Sequence, residues 1–274
     1  MNKLNNKQIY RSSSKYHHSK TQSGFLYLFE KIIRSHPLIY FYFRSIVRFT
    51  NIFEEDFNGV KLIQLGNKIN IIDVGASDGI ASKFFYKNLN TNNIFCFEPD
   101  IDYIKILKKL NIKGLHVRPF AIGDKNYFKN VFYPRYRFFN KNLNLITYTH
   151  YDEVFLKQQI ALDFKFRKNI TIHKKKILIK KIEKFNKNID LIKIDTNGYE
   201  LQVVNGLIKV INKNRPAIIL ESNQDINKIE KILKKFSYIS YYFSARENKL
   251  KKIKKKYPLN TFFLQKKHIE IKTK

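Results

Sequence analysis

The sequence predicts an α/β fold, a central, mostly parallel sheet flanked by helices and preceded by an N-terminal helical extension. Three observations carry that prediction. From about residue 61 onward, short apolar runs alternate with stretches of helical periodicity. One such run, NIIDV at Asn70–Val74, leads directly into the loop Gly75-Ala76-Ser77-Asp78-Gly79 and then into a helical pattern. Strand, helix and strand in succession require crossover connections, which are right-handed and build parallel sheets.

The elements follow in order. Residues 1–23 are rich in Asn, Ser, Lys and His and too poor in apolar side chains to offset chain entropy by burial, so a disordered basic tail is expected. His17 and His18 within it are read as solvated rather than as metal ligands. The first twenty residues have neither the apolar core nor the small-residue cleavage site of a secretory signal.

Residues 24–60 are expected to form the helical extension. The stretch FLYLFEKIIRSHPLIYFYFRSIVRF (25–49) is aromatic and apolar, but Glu30, Lys31, Arg34, Arg44 and Arg48 leave no run long enough to span a bilayer. Pro37 disfavours helical geometry at His36 and divides the stretch into two short helices. These are expected to pack on the domain that follows, the alternative being a peripheral membrane contact through residues 25–49.

Residues 61–274 form the principal domain. Its expected strands are Asn70–Val74, Asn93–Phe97, Gly114–Pro119, Ile189–Ile194 and Pro216–Leu220, and its expected helices Ser82–Leu89, Tyr103–Leu110 and Tyr199–Ile211. An insertion at about 127–176 interrupts the rhythm. It is aromatic and basic from the start, NYFKNVFYPRYRFF, and is a natural place for substrate contacts. The segment Lys249–Lys256 (KLKKIKKK) reads either as a phosphate-binding element or as a solvated turn or helix face.

Charge is the unusual bulk property. Lys and Arg number 53 against 22 Asp and Glu, a formal net charge of +31. Such a balance favours anionic partners. The same skew toward Lys, Asn, Ile, Phe and Tyr also follows from an AT-rich genome, and a true binding face would concentrate the charge. The single cysteine, Cys96, excludes an intrachain disulfide and a cysteine-based zinc cluster, which fits a reducing, cytoplasmic setting.

Chemistry concentrates at Asp73–Gly79. Glycines at a strand end allow a sharp turn into a helix and a close backbone approach. A P-loop would end in GKS or GKT and a dinucleotide loop would read GxGxxG, and neither is present. Glu98, 25 residues after Asp73, closes the run IFCFEPD, and a carboxylate at that place suits the two hydroxyls of an adenosine ribose. The alternative for Glu98 is a helix cap. Pro99 and Asp100 are expected to begin the next helix.

Four motifs in order, IIDVGASDG, CFEPD, FAIGD and LIKIDTNGYELQVVNGL, resemble those of the FkbM-type methyltransferase family, over roughly Ile71–Ser222. The resemblance implies a class I methyltransferase (Rossmann-like) fold, S-adenosylmethionine as cofactor, and O-methylation of a sugar or other small hydroxylated acceptor. Carried over by position, Asp73, Gly75, Ala76, Ser77, Asp78 and Gly79 line the methionine side, Glu98 and Pro99 the ribose, and Ala121, Ile122 and Asp124 the adenine. Asp195 faces the methyl group.

Two positions depart from the family pattern. Ser77 stands where Asn is usual, and Asn197 where the first Glu of KIDxEGxE is usual. An amide hydrogen-bonds but is no base.

A hydroxyl acceptor has a high pKa and calls for a general base. Asp195 at a strand end is the first candidate, followed by Glu200 and Glu221. Helix-terminal charge is the alternative for Glu200, and a structural carboxylate for Glu221. His116, His150 and His173 have no motif around them, and no metal-ligand spacing occurs, so metal-independent transfer is expected. Two rival functions stay open: an RNA methyltransferase, which the charge would favour, and a degenerate, non-catalytic S-adenosylmethionine-binding protein. Nucleic acid is the less favoured partner. A small-molecule or glycan acceptor, held through its acidic groups by Arg135 and Arg137, is the expected one.

Overall fold

The computed structural model describes residues 35–50 and 53–269. The expected tail with His17 and His18, and the first of the two expected helices, lie outside these residues.

In chain order the structure begins with helix α1 (Pro37–Phe49), a 3₁₀ segment (Glu55–Leu62), strand β1 (Ile69–Val74), α2 (Ile80–Asn88), β2 (Thr91–Phe97), α3 (Ile101–Leu107) and β3 (Leu115–Arg118). Next come β4 (Ala121–Ile122), β5 (Tyr127–Phe138), β6 (Lys141–Asn144), α4 (Glu153–Asp163), β7 (Ile170–Lys180) and β8 (Leu191–Ile194). The chain continues through α5 (Glu200–Gly206), α6 (Ile208–Asn214), β9 (Ala217–Glu221), α7 (Ile226–Lys234), β10 (Ile239–Ser244), β11 (Lys249–Lys252) and β12 (Asn260–Leu264).

These residues fall into two units. The first holds Phe53–Asn126 and everything from Lys180 onward, and the second combines α1 with Tyr127–Ile179. The grouping differs from the sequence-based boundaries: the extension's second helix goes with the insertion, and the chain from Phe53 goes with the principal sheet.

The first unit is built on an eight-stranded sheet of order β11-β10-β12-β9-β8-β1-β2-β3. From β3 to β9 all neighbours are parallel, and β12 then inserts antiparallel between β9 and β10. Parallel strands are covered on both faces by their crossover helices, which is why they read as continuous apolar runs. All six residues of β1 and all four of β8 are buried. Phe84 and Phe85 of α2 pack with Phe57 from the 3₁₀ segment onto the β1 side of the core.

Two sequence expectations need correction here. The single helix expected over Tyr199–Ile211 is two helices, broken at Leu207 (φ −99°, ψ 4°). Gly206 is the last residue of α5, and the peptide of Gly123 passes so close that a Cβ there would sit 2.1 Å from its carbonyl oxygen, so the position takes glycine. The basic run at 249–256 is neither turn nor helix face at its start, since Lys249–Lys252 is β11, an edge strand pairing with Tyr241–Ser244. Lysines on an edge discourage pairing with another chain. The insertion, whose elements the sequence left unassigned, holds β5, β6 and β7 with α4 between β6 and β7.

In the second unit β5 lies between β6 and β7, antiparallel to both. His36 caps α1, its Nδ1 accepting from Leu38 N at 3.2 Å, and Pro37 occupies the first turn where no amide donor is needed. Tyr40 of α1 packs edge-on to Tyr148 and Phe164, and its hydroxyl bonds Thr147 Oγ1 at 2.7 Å. Ile39, Tyr42 and Ile46 on the outer side of α1 are exposed. Among the described residues no helix is long and apolar enough to cross a membrane.

Candidate active site

The strand order reverses direction at β1: β2 and β3 lie on one side, β8 and β9 on the other. Ligands of open α/β sheets bind beyond the carboxyl ends of the strands at such a switch point. The loop 75–79 leaves β1 there, and Asp195 follows β8.

Backbone geometry explains the loop. Gly75 has φ +71°, and a Cβ on it would lie 1.8 Å from the carbonyl oxygen of Asp195, so only glycine lets the loop pass over the end of β8. Its amide donates to Phe97 O at 3.0 Å, and Asp195 N donates to Val74 O at 3.1 Å, which ties β1, β2 and β8 together at one edge. Gly79, at φ +81°, caps α2 in the left-handed region. The space its missing Cβ frees is filled by Leu110 and Leu107. Both glycines therefore serve chain packing as well as the turn.

Lys193 lies at the centre of the charge. Its Nζ donates to Gly75 O at 3.0 Å and stands 3.4 Å from Asp73 Oδ1 and 3.5 Å from Asp195 Oδ2. Burial alone would lower the lysine pKa. The charges of Asp195, Asp73, Glu54 and Glu221 outweigh it, and the ammonium is held well above its usual range. Asp73 is fully buried. Its Oδ2 accepts from Ser82 Oγ at 2.7 Å, fixing the first turn of α2, and its Oδ1 has no hydrogen bond. Asp73 thus anchors the loop from below.

Glu98 is also buried, one residue beyond β2. Its Oε2 accepts from Ser77 N at 2.9 Å and its Oε1 from Asp100 N at 2.8 Å. Asp100 in turn caps α3 through Asp102 N at 2.8 Å. Glu98 hence ties the 75–79 loop to the start of α3, while Pro99 is half-buried beside it. A carboxylate offers about four acceptor positions. One is used on each oxygen by these bonds.

On the β8 side, Glu200 is fully buried and its Oε1 accepts from Thr196 N (2.8 Å), Thr196 Oγ1 (3.1 Å) and Gly198 N (3.2 Å). Asn223 Nδ2 donates to its other oxygen. Burial raises its pKa, partly offset by those backbone donors. The sequence expectation of Glu200 as a base gives way to a staple that closes the turn 195–198. Asn197 stands in that turn at φ +53° with an exposed side chain. Asn is among the few residues that enter the left-handed region readily. The substitution there is one the backbone accommodates.

Glu221 at the end of β9 is half-buried, and desolvation together with the neighbouring Asp195 raises its pKa well above the ordinary carboxylate range. Asp195 and Glu221 follow Ile194 and Leu220, the last register partners of β8 and β9.

The structure brings Asp73, the 75–79 loop, Asp195, Glu200 and Glu221 together, with Glu98 joined through Ser77. Ala121 and Ile122 are buried in β4 beside α5, with Asp124 exposed after them. His116 stacks on Phe95 (centroids 4.9 Å apart) and bonds Asn93, and His150 stacks on Phe155 and caps toward α4 through Asp152 N, so both are structural. Among the described residues no metal-binding cluster of His, Cys, Asp and Glu occurs. Sequence reasoning missed Lys193, Glu54 and the amides Asn223 and Asn260, the last bonding Glu54 Oε2 at 3.0 Å. A lysine inside the otherwise apolar run LIKI was the available signal, since buried lysines are rare unless paired.

A family model described as the Methyltransferase FkbM domain matches residues 73–248. A comparison with curated proteins gives no match. Among solved structures, a methyltransferase FkbM from Methylobacillus flagellatus KT is similar at 13% identity and TM-score 0.44, over 74% of this chain and 45% of that one. The chain thus spans less than half of that structure's length. TrmK of M. capricolum in complex with S-adenosyl-homocysteine is similar at 13% identity and TM-score 0.37, over 79% and 70%. A precorrin-6y C5,15-methyltransferase from Geobacter metallireducens GS-15 is similar at 11% identity and TM-score 0.33, over 76% and 84%.

Proposed function

The chain belongs to the FkbM methyltransferase family, and on that premise we propose that it is an O-methyltransferase acting on a sugar or another small hydroxylated acceptor. S-adenosylmethionine is the methyl donor, and when bound it supplies an electrophilic methyl group on a sulfonium.

The observation that carries the acceptor chemistry is the Asp195 carboxylate beyond the end of β8, 3.5 Å from the Lys193 ammonium and next in register to Glu221 at the end of β9. A neutral amine needs no base to attack a methyl group, whereas a hydroxyl does. Asp195, at the carboxyl edge of β8, takes the hydroxyl proton. Lys193 keeps Asp195 oriented and, through Gly75 O, holds the loop at a fixed distance from that carboxylate. Alignment of the two reacting partners is the larger share of catalysis for an in-line transfer.

The cofactor residues fit the same scheme. Glu98 stands one residue beyond β2 with both oxygens held by backbone donors, and a carboxylate at that place suits the vicinal diol of a ribose. Gly75, Ala76, Ser77, Asp78 and Gly79 supply the turn on the methionine side, with Asp73 buried beneath as its anchor. Ala121, Ile122 and Asp124 border the adenine side. The single, buried Cys96 supports a reducing compartment, and the cytoplasm is the proposed location.

The test is turnover. Purified protein incubated with S-adenosylmethionine and a panel of hydroxylated acceptors should release S-adenosylhomocysteine and yield an acceptor heavier by one methylene. Asp195→Asn should lower kcat while leaving cofactor affinity in place. Cofactor binding without transfer to any hydroxyl acceptor would reject the enzymatic assignment.

A further inference from the structure

We propose that the open end of the second unit's sheet is a binding face for an acidic saccharide, a hydroxylated ring bearing phosphate or carboxylate. This ligand is the acceptor class of the transfer, so the assignment rests on the O-methylation proposed above.

The face is defined by register. Tyr133, Arg135 and Arg137 alternate along β5 and therefore point to one side of the sheet. Their partners across the ladders, His173 and Thr171 on β7 and Asn144 and Asn142 on β6, point to the same side. Lys175, two residues from His173, joins them. The opposite side at this end carries Tyr136, Ile170 and Ile172, which pack with α1 and α4 residues in the unit's core. One side of the sheet is thus apolar and covered, the other polar and cationic.

The strands β5, β6 and β7 contain no Asp or Glu, and of their eight Lys and Arg residues Lys129, Arg135, Arg137 and Lys175 lie on this side. The cationic groups are also preorganised. Arg135 Nε donates to Asn144 Oδ1 at 2.9 Å and its Nη2 to Tyr133 Oη at 3.0 Å, which fixes the guanidinium plane. Only two of its five N–H donors are used in these bonds. Lys175 Nζ rests 4.8 Å from the Tyr133 ring centroid, and Thr171 Oγ1 meets His173 Nε2 at 2.9 Å. A fixed guanidinium matches a carboxylate or phosphate edge in a bidentate manner. Amide, hydroxyl and imidazole groups alongside match the hydroxyls of a sugar.

Nucleic acid is the less suited ligand. Single strands bind through aromatic faces on which bases stack. On this face the Tyr133 ring already lies under the Lys175 ammonium, with Arg135 5.8 Å from its centroid.

Calorimetric titration of the full-length protein tests the proposal, with glucose 6-phosphate, glucuronate and glucose as probes, a uridine oligonucleotide as competitor class, and S-adenosylmethionine titrated separately. At least one acidic sugar should bind, glucose should not, and the acidic sugar that binds identifies phosphate or carboxylate as the recognised group. Arg135→Ala with Arg137→Ala should weaken that binding about tenfold or more. Lys254→Ala with Lys255→Ala, which removes equal charge from exposed positions of the first unit, should not. Arg137→Glu, a single reversal at an exposed site, gives the same readout should the double variant misfold. Binding of neither acidic sugar, equal weakening by both double variants, or tighter oligonucleotide binding lost in the arginine variants would overturn the proposal. Failure of S-adenosylmethionine to bind would instead reject the methyltransfer on which it rests, whatever the sugars do.

Discussion

Lys193 on β8 is the direct register partner of Asp73 on β1, and its Nζ lies 3.4 Å from Asp73 Oδ1. The pair sits beneath the crevice, with side-chain exposures of 7% and 0%, so each charge depends on the other for compensation. Because the same ammonium also reaches Gly75 O and Asp195, it links the cofactor loop to the acceptor-side carboxylate. Removing it should disturb stability and alignment together.

Lys193→Met should destabilise the fold by roughly 3–5 kcal/mol, since it leaves the Asp73 charge buried and unpaired. Adding Asp73→Asn should recover much of that loss. Chemical denaturation of the two single variants and the double variant measures the coupling. Additive effects would show that the two residues do not depend on each other.

Gly75→Ala should cost about 3 kcal/mol, combining left-handed strain with overpacking, and should weaken S-adenosylmethionine binding. The clash is with backbone, 1.8 Å from Asp195 O, so no side chain can rotate away to relieve it. Gly66→Ala, where a Cβ meets nothing within 4 Å, is the control and should be close to neutral in thermal melts.

Glu221 carries the pH dependence. Its folded pKa is raised above the ordinary value of 4.5, so the stability it contributes in its protonated form is fully present below that value and is lost as pH rises through the raised one. Glu221→Gln should therefore melt higher than the wild type at about pH 8, with the advantage gone by about pH 4.

Glu98→Gln is not a neutral replacement. Both oxygens of Glu98 accept backbone N–H bonds, and an amide nitrogen cannot accept. One backbone donor, Ser77 N or Asp100 N, would lose its partner, at a cost of about 1–3 kcal/mol. Stability and cofactor affinity should fall together, read by melting and by titration.

The parts of this architecture that were legible in the sequence are local. The run Asn70–Val74 followed by two glycines, and Glu98 at the end of an apolar run, announce strand, loop and crevice within a few residues of themselves. Lys193 escaped notice because its partner lies on another strand, and register between strands is not written in periodicity. Glu54 and Asn260 flank the family-like segment on both sides and meet only through the fold. The insertion hid its sheet for another reason: β5 contains Pro134, and its cationic face also carries Tyr127, Val131 and Tyr133, so its alternation separates apolar from polar only in part. Leu207 continued an apolar helical pattern, and the break there stands beside a close passage of Gly123 past Gly206 that periodicity does not show.

Calorimetric titration with S-adenosylmethionine tests the central claim most directly, using the wild type and Glu98→Ala with its fold checked by circular dichroism. Saturable binding at one site by the wild type, lost in the folded variant, is the predicted result. No binding by the folded wild-type protein would contradict the account.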